Sequence, residues 1–225
     1  DRRMRATSNK DVWQLLNGYA DPGRPFVTTN FTASGRIELS VTTFINGAAK
    51  AANAFRDVID ADAGALVQVD LGWTWQQAVW QCGALIAGSE LVTQDAEIGI
   101  YASGQSPSAD SGEWFGISID GWGRPQGCEG EITTEVLGQP DSWMYPEFFG
   151  SQLDLIAQVH AWGEQHGVFS GARIGIDTRT AHANVYLPFL VPLVFGGSVV
   201  MSDNPDKILI SQEKITHLLT ANTSD

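Results

Sequence analysis

ALVQVDLGWTWQQAVWQCGALIAGSELV (65–92) and ARIGIDTRTAHANVYLPFLVPLVFGGSVV (172–200) are two versions of one pattern. Each opens on a short apolar run closed by an aspartate, Asp70 in one and Asp177 in the other, 107 positions apart. Each then passes through a longer apolar stretch to a glycine, Gly88 and Gly196, 108 positions apart, and ends in a second apolar run. A short apolar run bounded by turn residues reads as a buried strand. Apolar residues three and four apart, as at Trp75, Ala78, Val79, Cys82, Leu85 and Ile86, read as a helix. Strand, helix, strand in that order implies right-handed crossovers and parallel strands covered by helices. The fold class that follows is α/β, with mostly parallel sheets flanked by helices and two pseudo-repeated lobes.

The flanking sequence fits this frame. Residues 9–19 predict a short helix with Ser8 as its N-cap, ended by Pro22, Gly23 and Pro25. PFVTTNF (25–31) and GRIELS (35–40) flank Thr32-Ala33-Ser34 and predict a hairpin. From Thr42 or Thr43, the residues Phe44, Ala48, Ala51, Phe55 and Ile59 fall on one helical face. Gly88 is placed to stop the helix that follows the strand at 65–71. Strands are expected near 89–93 and 97–102. Residues 103–150, rich in Gly, Ser, Pro, Asp and Glu, predict an irregular connection with possible strands near 114–119 and 131–137. Then come a helix over 151–166, a strand over 172–177, and a helix from Thr180 to Phe195 that Pro188 and Pro192 should kink or shorten. A strand over 198–202 and a last helix near 211–221 complete the reading. The organisation expected is a single domain over 1–225, with lobes at about 37–93 and 151–202 joined by the connection at about 103–150.

A chain of 225 residues with 43% hydrophobic content can bury a sizeable core. Arg2, Arg3 and Arg5 are not followed by an apolar segment, which argues against a signal peptide. Two cysteines, Cys82 and Cys128, are too few for a disulfide framework or a zinc cage, and the expected compartment is the cytoplasm. The formal charge of −13 is unevenly spread: from Asp57 to Gly171 there are 17 acidic residues and one base, Arg124. That distribution repels polyphosphates and excludes nucleic acid as a partner. Residues 180–202 carry no formal charge with His182 neutral, but Pro188, Pro192, Gly196 and Gly197 interrupt them. They read as a buried helix and strand, not as a membrane span.

IELSVTTFINGAAKAANAF (37–55), followed by 65–92, resembles the opening of the adenylate-forming superfamily, the AMP-binding enzymes that include acyl-CoA synthetases. The stretch from Ser151 to Met201 resembles the segment after that family's phosphate loop. The chain is more similar still to a group of short bacterial proteins distantly related to AMP-binding enzymes and of unknown function. The fold this implies is that of a truncated N-terminal part of an adenylate-forming enzyme.

The resemblance also says what to look for. The family's loop, TSGTTGxPKG, offers backbone N–H groups and a lysine to ATP phosphates. The nearest match runs from Ser118 to Gly127, where Gly123, Pro125 and Gly127 agree. Gln126 stands in the lysine position, Gly121 and Trp122 stand in hydroxyl positions, and Asp120 adds a negative charge. A second placement, Asp141 to Gly150 ahead of helix 151–166, is acidic and aromatic and has no cation. The family's magnesium-binding glutamate, ribose-binding aspartate, hinge and catalytic lysine fall beyond the matched region, so adenylation by this chain alone is not expected. His182 falls where many acyl-activating members carry a histidine beside the acyl pocket. It is the one catalytic candidate, set against a first-turn histidine bonded to backbone.

Other residues point to less. Asp60-Ala61-Asp62-Ala63-Gly64 lacks the later ligands of a calcium loop and reads as a turn. Asp110 and Glu113 form a generic exposed acidic pair. His160 and His166, six apart on one helix, face different ways, and no metal site is expected. No GxSxG, CxxC or HExxH motif occurs. Of eight tryptophans, Trp73, Trp75 and Trp80 crowd one helix, which favours exposure of at least one at a partner surface or ligand cleft. The expected function is a non-catalytic, degenerate relative acting as a binding or interaction module, as a homodimer or with another protein, and without a cofactor. The alternatives are a carboxylate, acyl or nucleotide ligand site with residual acyl-activating (ligase) character in a cleft between the lobes near His182, and a carbohydrate or aromatic ligand on exposed tryptophans.

Overall fold

Both copies of the repeated pattern form a parallel β-α-β unit, each in its own sheet. The computed structural model of the chain describes residues 9–145, 149–181 and 185–220. Arg2, Arg3, Arg5, the predicted cap Ser8 and the candidate His182 lie outside the described residues. Two units divide the chain: Asp1–Phe44 with Phe148–Asp225, and Ile45–Glu147.

The first unit is built on a five-stranded sheet. Helix α1 (Val12–Leu16) starts at Asp11, whose side chain accepts the Gln14 N–H while Gln14 returns a bond to the Asp11 backbone. This capping box fixes the start of a helix shorter than the predicted 9–19. Strands β1 (Pro25–Phe31) and β2 (Gly35–Ser40) form the expected antiparallel hairpin, with Gly35 at φ +76° closing its turn. Helix α2 (Val41–Asp57) follows at once, and its first turn belongs to this unit. After helix α5 (Ser151–Gln165) come β7 (Arg173–Asp177), α6 (Leu190–Val194), β8 (Ser198–Ser202), α7 (Lys207–Gln212) and β9 (His217–Leu219). The sheet order is β2-β1-β8-β7-β9, parallel except for the hairpin. Phe26 and Phe44 meet edge to face at 4.6 Å in its core, and Ile174, Ile176, Leu190 and Leu219 are fully buried.

The second unit holds the rest of α2, then β3 (Leu66–Asp70), α3 (Trp75–Ile86), β4 (Glu90–Leu91), β5 (Ile98–Ala102), β6 (Glu113–Ile117) and α4 (Thr133–Leu137). Its four strands are all parallel in the order β4-β3-β5-β6. Thr74 caps α3, and Gly88 at φ +88° ends it as expected. Helices α2 and α3 touch through small residues: a Cβ on Gly83 would stand 2.6 Å from the Ala51 Cβ. Phe55 and Trp80 pack edge to face at 5.3 Å beside them.

Besides the short first helix, three elements differ from the sequence reading. The stretch from Thr180 to Phe195 is helical only over Leu190–Val194, with residues 182–184 outside the described residues. Pro188 cannot continue a helix from above, whereas Pro192 sits in the first turn of α6, where no intrahelical N–H bond is needed. Residues 131–137 are not a strand. Only Glu131 bridges Gly116, and Thr133–Leu137 turn into helix α4. The predicted helix near 211–221 is instead the end of α7 and strand β9, separated by Lys214 at φ +54°. Asp206 caps α7 earlier than expected, and β9 pairs in parallel with β7. Among the described residues no helix is long and apolar enough to cross a membrane.

Candidate functional site

Strand β6 delivers the chain to the loop from Ser118 to Gly127, the first of the two stretches that the resemblance singles out. The Ser118 N–H donates to Thr133 Oγ1 at 2.9 Å, and Ser118 Oγ accepts the Asp120 N–H at 3.1 Å. Gly123 and Gly127 adopt φ of +69° and +72°. Such left-handed steps turn successive N–H groups toward one concave side, the geometry of an anion-binding nest.

That concave side is filled from within. Asp120 Oδ2 accepts the backbone N–H of Trp122 at 3.0 Å and of Arg124 at 3.2 Å. It also accepts Arg124 Nε at 3.1 Å, while Oδ1 takes Arg124 Nη2 at 3.1 Å. The Gly123 N–H donates to the Asp120 carbonyl at 2.8 Å. The next donors go to Glu131: Gln126 N–H at 3.0 Å and Cys128 N–H at 3.1 Å, with Gly127 N–H also bonded to it. Two carboxylates of the chain therefore hold the N–H groups of this loop. The loop is anchored by Trp75 Nε1 to the Gly121 carbonyl at 3.2 Å and Gln76 Nε2 to the Asp120 carbonyl at 2.7 Å. The Trp75 ring lies against Gly123, where a Cβ would come within 3.2 Å of it.

Charge follows this wiring. The Arg124 side-chain bond, with the loop N–H groups behind it, holds the Asp120 carboxyl down at about 2. Arg124 is raised in turn by the same bond. Burial pushes the Glu131 carboxyl up, but hydrogen bonds from Thr133 and from the N–H groups of Gln126, Cys128 and Gly127 outweigh it and leave the group below its usual value. Both are anions throughout the neutral range. The N–H groups of Trp122, Gly123, Arg124, Gln126, Gly127 and Cys128 are thus engaged within the loop, and Arg124 is paired with Asp120.

The second placement offers no more. Residues 146–148 of the Asp141–Gly150 stretch lie outside the described residues. The described part lies along α2: Asn53 Nδ2 donates to the Pro140 and Ser142 carbonyls at 3.1 and 2.9 Å, and Tyr145 bonds Asp57. The cation nearest to hand, Lys50, is spent on Asp141 at 3.0 Å and on the Leu137 and Gln139 carbonyls.

The remaining candidates fall apart spatially or chemically. Asp70 is exposed, whereas Asp177 is 7% exposed and held ionised by its bond to Arg179, so the repeated aspartates do different jobs. His160 stacks on Phe195 and His166 on Trp162. Among the described residues no cluster of three or more His, Cys, Asp or Glu could hold a metal. Asp60 and Gly64 sit in a turn with positive φ, as expected. The most exposed tryptophan is not on α3 but at the loop tip: Trp122 is 85% exposed, while Trp80 is buried. A groove of about 250 Å³ in the first unit is lined by Leu155, Gln158, Val159, Trp162, Tyr186 and Val191.

Sequence reasoning missed Glu131 and the ion-pair network around Arg173. Arg173 Nη2 reaches Glu213 Oε2 at 2.8 Å and Thr28 Oγ1 at 3.1 Å, and Arg36 pairs with both Glu213 and Glu38. This network ties β7, β1 and β2 to the end of α7. A glutamate shortly after the turn at Gly123–Gly127 was the available signal for Glu131.

No family model matches the sequence. A Mycobacterium tuberculosis protein described only by a numbered family is 28% identical over 226 residues, covering 89% of this chain and 93% of its own length. Solved structures show the fold. A Brucella canis acyl-CoA synthetase superposes with a TM-score of 0.71 at 14% identity, over 93% of this chain and 47% of that one. ATP-bound MatB from Rhodopseudomonas palustris gives 0.66 at 15%, over 94% and 48%, and a Mycobacterium tuberculosis fatty acyl CoA synthetase gives 0.63 at 11%, over 96% and 49%. The chain has the α/β fold of AMP-dependent synthetases and spans about half the length of these three structures.

Proposed function

We propose that this chain is a non-catalytic relative of the AMP-dependent synthetases that serves as a binding or interaction module. The observation that carries this reading is the loop from Ser118 to Glu131, whose donors are committed to Asp120 and Glu131. Catalysis of adenylyl transfer depends on positioned positive groups around the phosphates, and here the positions are held by negative ones. Gly123, Pro125 and Gly127 are, on this reading, the remnant of a phosphate loop that has become a structural turn. The test is binding of ATP and AMP to the purified chain by calorimetry, with and without magnesium. No heat and no thermal stabilisation are expected. Micromolar binding of either nucleotide would refute the proposal.

A second reading has its own observation, the groove between α5 and α6. Its lining is mostly apolar, with Gln158 and Tyr186 as polar groups, and at about 250 Å³ it lies at the small end of ligand sites. A short acyl or aromatic acid would fit such a space. Thermal unfolding with a graded series of short acids distinguishes this reading: a stabilisation that peaks at one chain length and is lost in Val159→Trp supports it.

A further inference from the structure

The charge of the molecule is concentrated in one unit, and so is its most exposed large aromatic side chain. Ile45–Glu147 holds fifteen acidic and three basic residues, which accounts for −12 of the total −13. All three bases are engaged: Lys50 with Asp141, Arg56 over the Tyr145 ring at 5.4 Å, and Arg124 with Asp120. The acidic field of this unit is therefore left without internal compensation, and it attracts cations from outside.

Trp122 belongs to this unit, on a loop (118–131) that holds three carboxylates, Asp120, Glu129 and Glu131, and one base, Arg124. It is 85% exposed, although burying an indole is among the larger gains a side chain can make. The backbone that carries it is not loose. The Trp122 N–H is fixed on Asp120, the neighbouring N–H groups of Gly123 and Arg124 are bonded to the same residue, and Trp75 and Gln76 grip the loop from α3. A large aromatic ring held out on a braced loop loses little freedom on contact, which is the property of interface anchors. Glu129, exposed in the same loop, adds negative charge to it.

We infer that Trp122 and the acidic loop that carries it form a docking site for a basic protein segment. Lysine or arginine side chains of the partner would be drawn by the acidic field and would stack on the indole face. This inference rests on the reading of the chain as an interaction module and gives that module a partner chemistry. It commits to a cationic polypeptide; a second copy of this chain does not fit, because two surfaces of this charge repel.

The experiment uses the full chain and a dye-labelled lysine–alanine repeat peptide, with the glutamate–alanine repeat of equal length as its counterpart, followed by fluorescence anisotropy. The lysine peptide should bind, with an affinity that weakens as salt screens the field, and the glutamate peptide should not. Trp122→Ala should weaken binding about tenfold or more, and Trp122→Phe should retain most of it. Because Trp122 is so exposed, both variants should unfold at the native temperature, so a loss of binding reads as loss of contact. Equal binding by Trp122→Ala and native protein would reduce the effect to bulk charge and overturn the inference, as would no binding of the lysine peptide or equal binding of both peptides. The nucleotide titration above is independent: ATP binding sinks the non-catalytic reading, whereas absent peptide binding with absent ATP binding sinks only the docking site.

Discussion

Removing Glu131 tests the claim that the loop is held by the chain's own carboxylates. In Glu131→Ala, the N–H groups of Gln126, Gly127 and Cys128 lose their shared acceptor, and Thr133 loses a partner. A hydrogen bond to a charged group contributes about 1.5–3 kcal/mol when well shielded. Glu131 is only partly buried, so water recovers much of this, and the whole substitution should cost roughly 1–2 kcal/mol. For a chain of this size, that lowers the thermal midpoint by roughly 2–8 °C. The sign of the pH dependence is set by the lowered carboxyl. Its stabilising contribution is fully present above the unfolded value and disappears as pH falls through the folded one. The difference between native and variant should therefore be full at pH 7 and vanish in strong acid. A second arm asks where the freed donors turn. Inorganic phosphate at ~50 mM, binding with a Kd of ~10 mM, would return about 1 kcal/mol to Glu131→Ala, and it should leave the native chain unmoved. Differential scanning fluorimetry across pH, with and without phosphate, reads all of this. A variant as stable as the native chain, or a native chain that gains as much from phosphate as the variant, would refute the reasoning.

Other outcomes follow from the packing. Gly83→Ala should destabilise by about 1–2 kcal/mol in urea unfolding, since overpacking costs more than the ~1 kcal/mol of helix propensity it adds; its Cβ would stand 2.6 Å from Ala51. Leu219→Ala should cost about 2–4 kcal/mol in the same assay, and Leu218→Ala clearly less, because Leu219, at the end of β9, is 1% exposed and Leu218 is only half-buried. An aromatic disulfide reagent should label Cys128 quickly and Cys82 only on unfolding, because full burial pushes the Cys82 thiol up while Cys128 is partly exposed.

The parts of the fold that announced themselves were those governed by neighbours in sequence. The hairpin at 25–40 needed only two β-rich runs and a small turn, and α3 needed only Thr74, its apolar face and Gly88. The failures share another cause. Thr133-Thr134-Glu135-Val136-Leu137 has the composition of a strand, yet pairing with the edge of β6 stops at the Gly116–Glu131 bridge, and Thr133 is engaged by the Ser118 N–H as the helix begins. Ile215, Leu218 and Leu219 have helical spacing, but the edge of β7 was free to take them as a strand, and Lys214 supplied the break. The candidate loop was found from three residues, Gly123, Pro125 and Gly127. Its contents were not, because a sequence does not say which carboxylate will reach which N–H across a turn. Asp120 was visible as an unwelcome charge, and only the geometry shows it as the loop's internal counterion. Trp122 was one tryptophan among eight until exposure singled it out.

The sheet of the first unit sets a clock on biosynthesis. Strand β1 has β2 beside it within seconds of leaving the ribosome, but its other neighbour is β8, and Val27 must wait for Val199, 172 positions later. At translation rates of about 5–20 residues per second, that wait lasts roughly ten to thirty seconds. Meanwhile Thr28 and Thr29, destined for the interior, face water along an open strand edge, which is the kind of surface that recruits stray strands. The intervening unit is continuous in sequence and can finish first. A nascent chain stalled near residue 150 should therefore display one finished sheet and one sticky hairpin, and that hairpin is where a chaperone would be needed.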